Sequence, residues 1–302
     1  MPATDPASLQ KIKQYLANTL ALETAVVGTR GVKLQGQRLY NAPDRVTGLA
    51  PNPALGVNTI YYDNSDSSHY YGWQTSLRKR YAHGLLANVH YTWGKGIAYN
   101  GGDIGFNGSF LQDFFGIRSN KGPITSDVRH SFVANFVYQL PMPGAWQGNR
   151  AAHAVLGGWD VSGIFSARTG TPLSITEPST LSSQRPDLVD PAHALLKTGL
   201  QYLNKAAFAQ VPVSSVSGAT VRPGTLGNGA IYGPGAWNLD ASVVKTFPIV
   251  EKYKLQFRTD WINALNHTNF TGVSTNIQAA TFGQLTSTAG ARRIQFGLRL
   301  NF

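Results

Sequence analysis

Ala291-Arg-Arg-Ile-Gln-Phe-Gly-Leu-Arg-Leu-Asn-Phe302, the closing stretch of the chain, decides the fold. Ile294, Phe296, Leu298, Leu300 and Phe302 are apolar, whereas Arg293, Gln295, Gly297, Arg299 and Asn301 between them are polar or small. Side chains on a strand point alternately to opposite faces, so this pattern predicts a strand with one greasy face and one wet face. The last strand of a soluble sheet also alternates. A membrane barrel adds a reason for the bare terminal Phe, because its outward face meets lipid and its inward face meets water or protein. The five apolar residues are therefore the candidate membrane-insertion strand.

The rest of the composition agrees. A chain of 302 residues holds one large β domain or two ordinary ones. Its 32 glycines, its 11% aromatic content and a charged fraction of only 14% suit many strands joined by turns and edged by aromatics. No stretch approaches the roughly 18 consecutive apolar residues of a membrane helix. Barrel strands, of about ten alternating residues each, carry a much weaker signal. The absence of cysteine excludes a disulfide framework and any thiolate metal ligand or nucleophile. The net charge of +11 is scattered, and its longest run, Arg78-Lys79-Arg80, sits beside a turn. That distribution suits anionic headgroups or solvent, and no nucleic-acid partner is expected. Met1-Pro-Ala-Thr-Asp-Pro6 has neither the basic start nor the apolar core of a secretory signal. A barrel reaches an outer membrane only by export, so the expectation is that this sequence lacks its front end.

Alternation recurs along the chain. Residues 8–16 suit a short helix or the tail of a strand, and Ala17-Asn18 a turn. A strand from Leu20 is expected to stop at the glycine break Gly28-Thr-Arg-Gly31, followed by a long loop over 31–67 with one short strand near 59–62. Tyr71, Trp73, Thr75 and Leu77 then share a face. After a tight Tyr81-Ala-His-Gly84 turn, so do Leu85, Ala87, Val89, Tyr91 and Trp93. Further strands carry Phe132 to Leu140, Trp159 to Ala167, Trp237 to Phe247, and Tyr253 to Trp261. Within the long insertion 169–236, Leu195–Phe208 suits a helical turn or two. Long and short connections alternate strictly, with long ones near 31–67, 95–127, 169–236 and 264–290. All long loops at one end and all tight turns at the other is the layout of up-and-down outer-membrane barrels. Trp73, Trp93, Trp159, Trp237 and Trp261 lie near strand ends, as interfacial girdles do. The fold class is thus all-β: a partial antiparallel up-and-down transmembrane β-barrel of about eight or nine strands.

Read in order, these segments resemble a known family. Ser68 to Tyr81 with His83-Gly84 and Tyr91-Thr-Trp93 is similar to the first hairpin of the Oar-like, TonB-dependent receptor barrel. Asp127-Val-Arg-His-Ser-Phe132, Gly157-Gly-Trp-Asp-Val-Ser-Gly163 with Thr169-Gly-Thr-Pro172, Asn238-Leu-Asp-Ala-Ser242, Asn263-Ala-Leu-Asn-His-Thr-Asn-Phe270 and the terminal strand continue the resemblance. It implies an outer-membrane receptor of a Gram-negative bacterium with about 22 strands, a lumenal plug and energy delivered through TonB. Many such receptors also carry a carboxypeptidase-regulatory-like domain. The sequence departs from that pattern in having no plug, no TonB box and no export signal, and so looks like the C-terminal part of such a barrel. Residues 1–19 are expected to be a strand remnant or linker, and 20–302 the barrel segment. The implied partners are outer-membrane lipid, the barrel-assembly machinery, an external ligand met by the long loops, and the TonB complex through N-terminal regions outside this sequence.

No catalytic constellation is visible, and no enzyme activity, cofactor or metal is expected. Asp127, Arg129 and His130 sit at a loop-to-strand junction, where an Asp–Arg pair fixes a turn. His267 lies among Asn263, Asn266 and Asn269, which suits a hydrogen-bonded loop or contact with a polar ligand; no further metal ligands are near. The glycines of 222–235 lack the strand–loop–helix context of a phosphate site. Two other functional classes stay open on the residues alone. One is a self-contained eight-stranded barrel with a structural or adhesion role; the other is a soluble β protein binding carbohydrate through its aromatics.

Overall fold

The computed structural model of the protein describes residues 8–57, 59–99, 112–113, 116–142, 144–146, 148–179, 184–250 and 253–302. Nine wall strands follow one another: β1 (Ser8–Ala17), β2 (Leu20–Leu39), β3 (Ile60–Ala82), β4 (Leu85–Ala98), β5 (His130–Gln139), β6 (Trp159–Arg168), β7 (Ala236–Val250), β8 (Tyr253–Ile262) and β9 (Arg293–Asn301). Each pairs antiparallel with the next, in strict sequence order. A two-residue strand, Gly122–Pro123, folds back on the end of β4. Among the described residues β1 and β9 are the two ends of the ladder and do not pair with each other.

Directly paired residues share a face, so the register extends the alternation of single strands across the sheet. One row reads Ala87–Phe136–Gly163–Ala241–Trp261–Ile294, and the row beside it on the same face reads Tyr91–Phe132–Ala167–Trp237. The opposite face carries Arg78–Asn88–Asn135–Ile164–Asp240 and Glu23–Ser76–His90–Val133–Ser166–Asn238. The predicted hairpin at Tyr81–Gly84 is present. Ala82 pairs with Leu85, and His83 and Gly84 both take positive φ, 53° and 77°. Two left-handed residues between the strands are the signature of a turn whose twist matches that of the hairpin.

Several expected boundaries are corrected. Of the two readings open for residues 8–16, the structure has the strand, Ser8–Ala17. Gly28 and Gly31 do not end β2, which runs on for 20 residues beside a 23-residue β3, so the connection shrinks to 40–59. The glycine segment becomes an irregularity instead, with the register shifting between Gly31, Leu34 and Gly36. Paired strands absorb such an extra residue as a bulge without ending the ladder. β4 likewise continues to Ala98; residues 100–111 of the following loop and Glu251–Lys252 of the β7–β8 turn lie outside the described residues. The Leu195–Phe208 stretch is a hairpin, Leu195–Thr198 with Gln201–Leu203, followed by one 3₁₀ turn at Lys205–Ala207. Its exposed leucines imitate helical spacing. A helix occurs where none was expected, at Arg150–Leu156 in the short connection after β5, capped by the Asn149 side chain. The loop 264–290 contains a second small hairpin, Phe270–Val273 with Leu285–Thr288.

The largest buried apolar cluster lies in the long connections and not in the sheet. Ile175, Tyr202, Leu203, Phe208, Leu226, Ile231, Ile277 and Phe282 pack there.

The β3–β4 turn gives a direct test. A Cβ at Gly84 would meet the Gln139 carbonyl oxygen at 2.6 Å and hold a left-handed φ. Gly84→Ala should therefore cost about 1–3 kcal/mol, read as a lower urea midpoint of the vesicle-folded chain. An unchanged midpoint would mean that the turn is built otherwise.

Candidate functional site

Much of the apolar face of the wall is exposed. Val26 is 56% exposed, Trp73 46%, Phe296 67% and Leu298 70%. Ile294, Leu300 and Phe302 are exposed as well, so the structure brings all five residues of the candidate insertion strand to the surface beside Trp261, Thr259, Phe257 and Leu255 of β8. A soluble sheet buries such a face; a contiguous exposed one requires an apolar partner. Trp73, Trp93, Trp237 and Trp261 lie toward the long-loop end of this face, and Trp159 starts β6 at the short-turn end. β6 passes from Trp159 to Ala167, the neighbour of Trp237, which is the roughly 9–11 residues that a tilted strand needs to cross a bilayer. The polar tips are satisfied: Trp73 Nε1 donates to Thr24 Oγ1 at 2.8 Å, and Trp159 Nε1 donates to the Val155 carbonyl at 2.8 Å.

A buried cation interrupts the apolar rows. Lys245, between Val243 and Phe247, is only 2% exposed. Its ammonium donates to the carbonyls of Val155, at 3.2 Å, and Gly157. It also lies 5.1 Å from the Trp159 ring centroid and 5.0 Å from that of Phe247. The short helix thus supplies the last-turn carbonyls that a cation favours, and two aromatic faces complete the cage. Sequence alternation had a signal here, a lysine at an apolar position, but not the partner.

The opposite face is polar. A shallow hollow of about 260 Å³ is lined by Glu23, Gln74, Ser76, Arg78, Arg80 and His90. Nearer β9, Arg258 pairs with Asp260 at 2.8 Å, and Asp240 accepts from Asn238 and from the Asn263 backbone. One wall face is fit for lipid and the other for water or a polar filling.

The four long connections interlock into a cap. Arg45, from the first, donates to Gln184 Oε1 at 3.1 Å and Thr220 Oγ1 at 2.8 Å in the third, and to the Gln112 carbonyl in the second. Gln201 of the third donates to the Phe282 carbonyl of the fourth at 2.9 Å. Arg222 grips Asp187 through two hydrogen bonds of 2.7 and 2.8 Å, which hold that carboxyl below its usual range. Arg185 donates to the Leu226 carbonyl, and burial brings its guanidinium down to about 10. The glycines of 222–235 act through close approach: the position of a Gly224 Cβ is occupied by the Arg185 and Pro186 carbonyls.

The sequence-nominated polar residues are structural in this arrangement. Arg129 Nη2 lies 3.2 Å from Asp127 Oδ2, and Tyr232 donates to the same oxygen at 2.7 Å. Asp127 also accepts from the Gly96 backbone, so the pair does fix the junction, with Tyr232 as a partner that no local pattern announced. His130 meets Tyr91 Oη at 2.7 Å. His267 lies 3.2 Å from Asn269 Oδ1 and stacks on Trp237 at 3.9 Å between centroids. No group of three metal-ligating side chains occurs among the described residues.

Between the cap and the apolar face of β5–β7 lies a cleft of about 1200 Å³. Phe132, Ala167 and Trp237 form its floor, and Arg129, Arg168 and Lys197 are among its rim.

A model of the outer membrane beta barrel domain family matches residues 9–295. No curated protein matches the chain. Among solved structures, the ferric-catecholate import receptor Fiu of Escherichia coli K12, in a closed form, is 13% identical with a TM-score of 0.45. That match covers 98% of this chain and 27% of the receptor. The outer membrane transporter YddB of Escherichia coli is 11% identical with a TM-score of 0.49, over 99% of this chain and 32% of the transporter. The chain therefore spans about a third or less of the length of either structure.

Two measurements probe these features. Asp66, on the part of β3 that continues beyond Tyr71, has its carboxyl raised from 3.8 to about 6, chiefly by burial and partly by Asp63, against the pull of Arg38. Between those values the folded carboxyl keeps a proton that the unfolded one has lost, so the β2–β3 extension should lose stability as pH rises through that window. Protection factors at residues 34–39, which remove the intrinsic base-catalysed rise of exchange with pH, should fall over it, and Asp66→Asn should flatten the response; rising protection factors would show that Arg38 dominates. Lys245→Met strands two carbonyls and should cost about 1.5–3 kcal/mol in the same urea assay. A neutral result would mean that the helix does not depend on the cation.

Proposed function

Because the chain belongs to the outer membrane beta barrel domain family, we propose that it forms the C-terminal wall segment of a larger, Oar-like TonB-dependent receptor. Family membership supports a Gram-negative outer membrane as the place of the sheet, and its exposed apolar rows then lie against lipid. The tryptophans then lie at the two interfaces and the interlocked cap faces outside, since long loops are external and tight turns periplasmic in such barrels. The cap selects the ligand, and the polar face, with its Glu23–Arg78–His90 hollow, meets the plug. Coupling to TonB runs through regions other than this wall. The terminal strand, ending in Phe302, is presented to the barrel-assembly machinery.

The observation that carries this reading is the open ladder. Among the described residues β1 and β9 are unpaired with one another, and in lipid an open edge leaves backbone groups without partners, so spanning sheets close. Nine strictly alternating strands leave the first and last running parallel, whereas bacterial single-chain barrels close with an even number of antiparallel strands. Further strands complete the wall. The self-contained eight-stranded barrel is the competing case.

The native chain lacks cysteine, which makes cross-linking clean. Pairs combining Gln10→Cys or Ile12→Cys with Phe296→Cys or Leu298→Cys should give disulfides between copies, or none, when the chain is folded in vesicles. Efficient disulfide formation within one copy would mean that the nine strands close alone, and would sink the wall-segment reading.

A further inference from the structure

The cleft under the cap opens on the lipid side of the wall. Phe132, Ala167 and Trp237 form one paired row near the long-loop end of the apolar face, so the floor stands at the level of the outer-leaflet headgroups. Over it hangs the hairpin Leu195–Leu203, whose Leu195 and Lys197 line the cleft. Leu195, Leu196 and Leu200 are exposed, Leu200 by 62%. Leu195 faces the floor across the gap, and Leu196 and Leu200 leave the rest of the hairpin bare beside it. Lys197, Arg168 and Arg129 are among the residues of the rim, and no carboxylate is among the described residues that line the cleft. Asp127 lies behind Arg129 and offsets part of that one charge, and Arg168 belongs by register to the Ser131–Ala236 row of the opposite face, which leaves Lys197 as the outward cation.

We propose that this cleft seats an anionic lipid of the outer leaflet, its acyl chain between the Trp237 row and Leu195 and its phosphate against Lys197. Neither half of the ligand is arbitrary. A soluble phosphoanion would have no use for the apolar floor. A zwitterionic lipid would bring a positive group to a rim that already carries cations. The volume, about 1200 Å³, admits a headgroup with the upper part of its chains. The site binds lipid from the side and lies outside the lumen, so it is separate from any path for imported ligand. Lipid held there would brace the hairpin, and with it the third connection of the cap.

This inference rests on the outer-membrane placement, and the test separates the two. The chain is folded into vesicles of phosphatidylcholine with a minority of phosphatidylglycerol. One composition is used throughout, with bromines on the acyl chains of one lipid or the other. The part of the fluorescence lost in Trp237→Phe reports the cleft floor, and the remaining tryptophans report the wall at large. Bromines on phosphatidylglycerol should quench the Trp237 part about fivefold beyond that lipid's share. The other tryptophans should follow the bulk ratio, and Lys197→Glu should remove the excess without altering them. Leu195→Ser should weaken quenching of Trp237 by both lipids. Quenching of Trp237 in proportion to lipid composition, or an excess that survives Lys197→Glu, would overturn the anionic site. Loss of the excess on adding inorganic phosphate would reassign it to a soluble anion. If wall tryptophans are quenched and Trp237 is not, the cleft alone fails; if none is quenched, the membrane placement fails with it.

Discussion

Every backbone amide and carbonyl that enters a bilayer must find its partner within the protein, because hydrocarbon offers none. The rest of this structure follows from that requirement. It explains why the wall strands pair only with their sequence neighbours, and why irregular backbone is pushed to the two ends. It also explains why the bulges of β2 occur at Gly31–Gly36, beyond the strand's apolar stretch. The same requirement makes the outer edges of β1 and β9 the most consequential places in the molecule, since their unpaired groups must be met by something.

Once the ladder is formed, pleating does the sorting. Rows such as Ala87–Phe136–Gly163–Ala241–Trp261–Ile294 go one way, and Arg78–Asn88–Asn135–Ile164–Asp240 the other. A one-residue slip anywhere would exchange the two surfaces. The wall therefore needs no buried core of its own, and the core that exists, around Leu203, Phe208 and Phe282, serves the cap. Lys245 shows how strict the sorting is. A cation in an apolar row persists because helix carbonyls and two aromatic faces enclose it, not because the row tolerates charge.

Alternation made the wall legible from sequence. The period of two in Ile294–Phe302 and Trp237–Phe247 is a direct record of the pleat, and His83-Gly84 names its turn by the φ values it permits. Where the chain leaves the bilayer, that record fades. β2 and β3 continue past Gly31 and Tyr71 with both faces wet, so nothing in polarity distinguishes strand from loop there. The cap was illegible for another reason. Arg45 finds Gln184 and Thr220 across 139 and 175 residues, and Tyr232 finds Asp127 across 105; no local pattern encodes such pairs. The helix at Arg150–Leu156 is too short for its period to show.

Those separations have a kinetic meaning as well. Wall hairpins close short loops, whereas joining Arg45 to Thr220 demands the closure of a very long one, whose entropy must be met before any contact rewards it. The contacts that knit the cap can form only after β2 through β6 have brought their ends together. Assembly then proceeds as a wall that zips by neighbours and a cap that consolidates last. Until that final step the leucines, tyrosines and guanidinium groups of the long connections remain unsheltered, and the most carefully packed part of the molecule is the part that spends longest unmade.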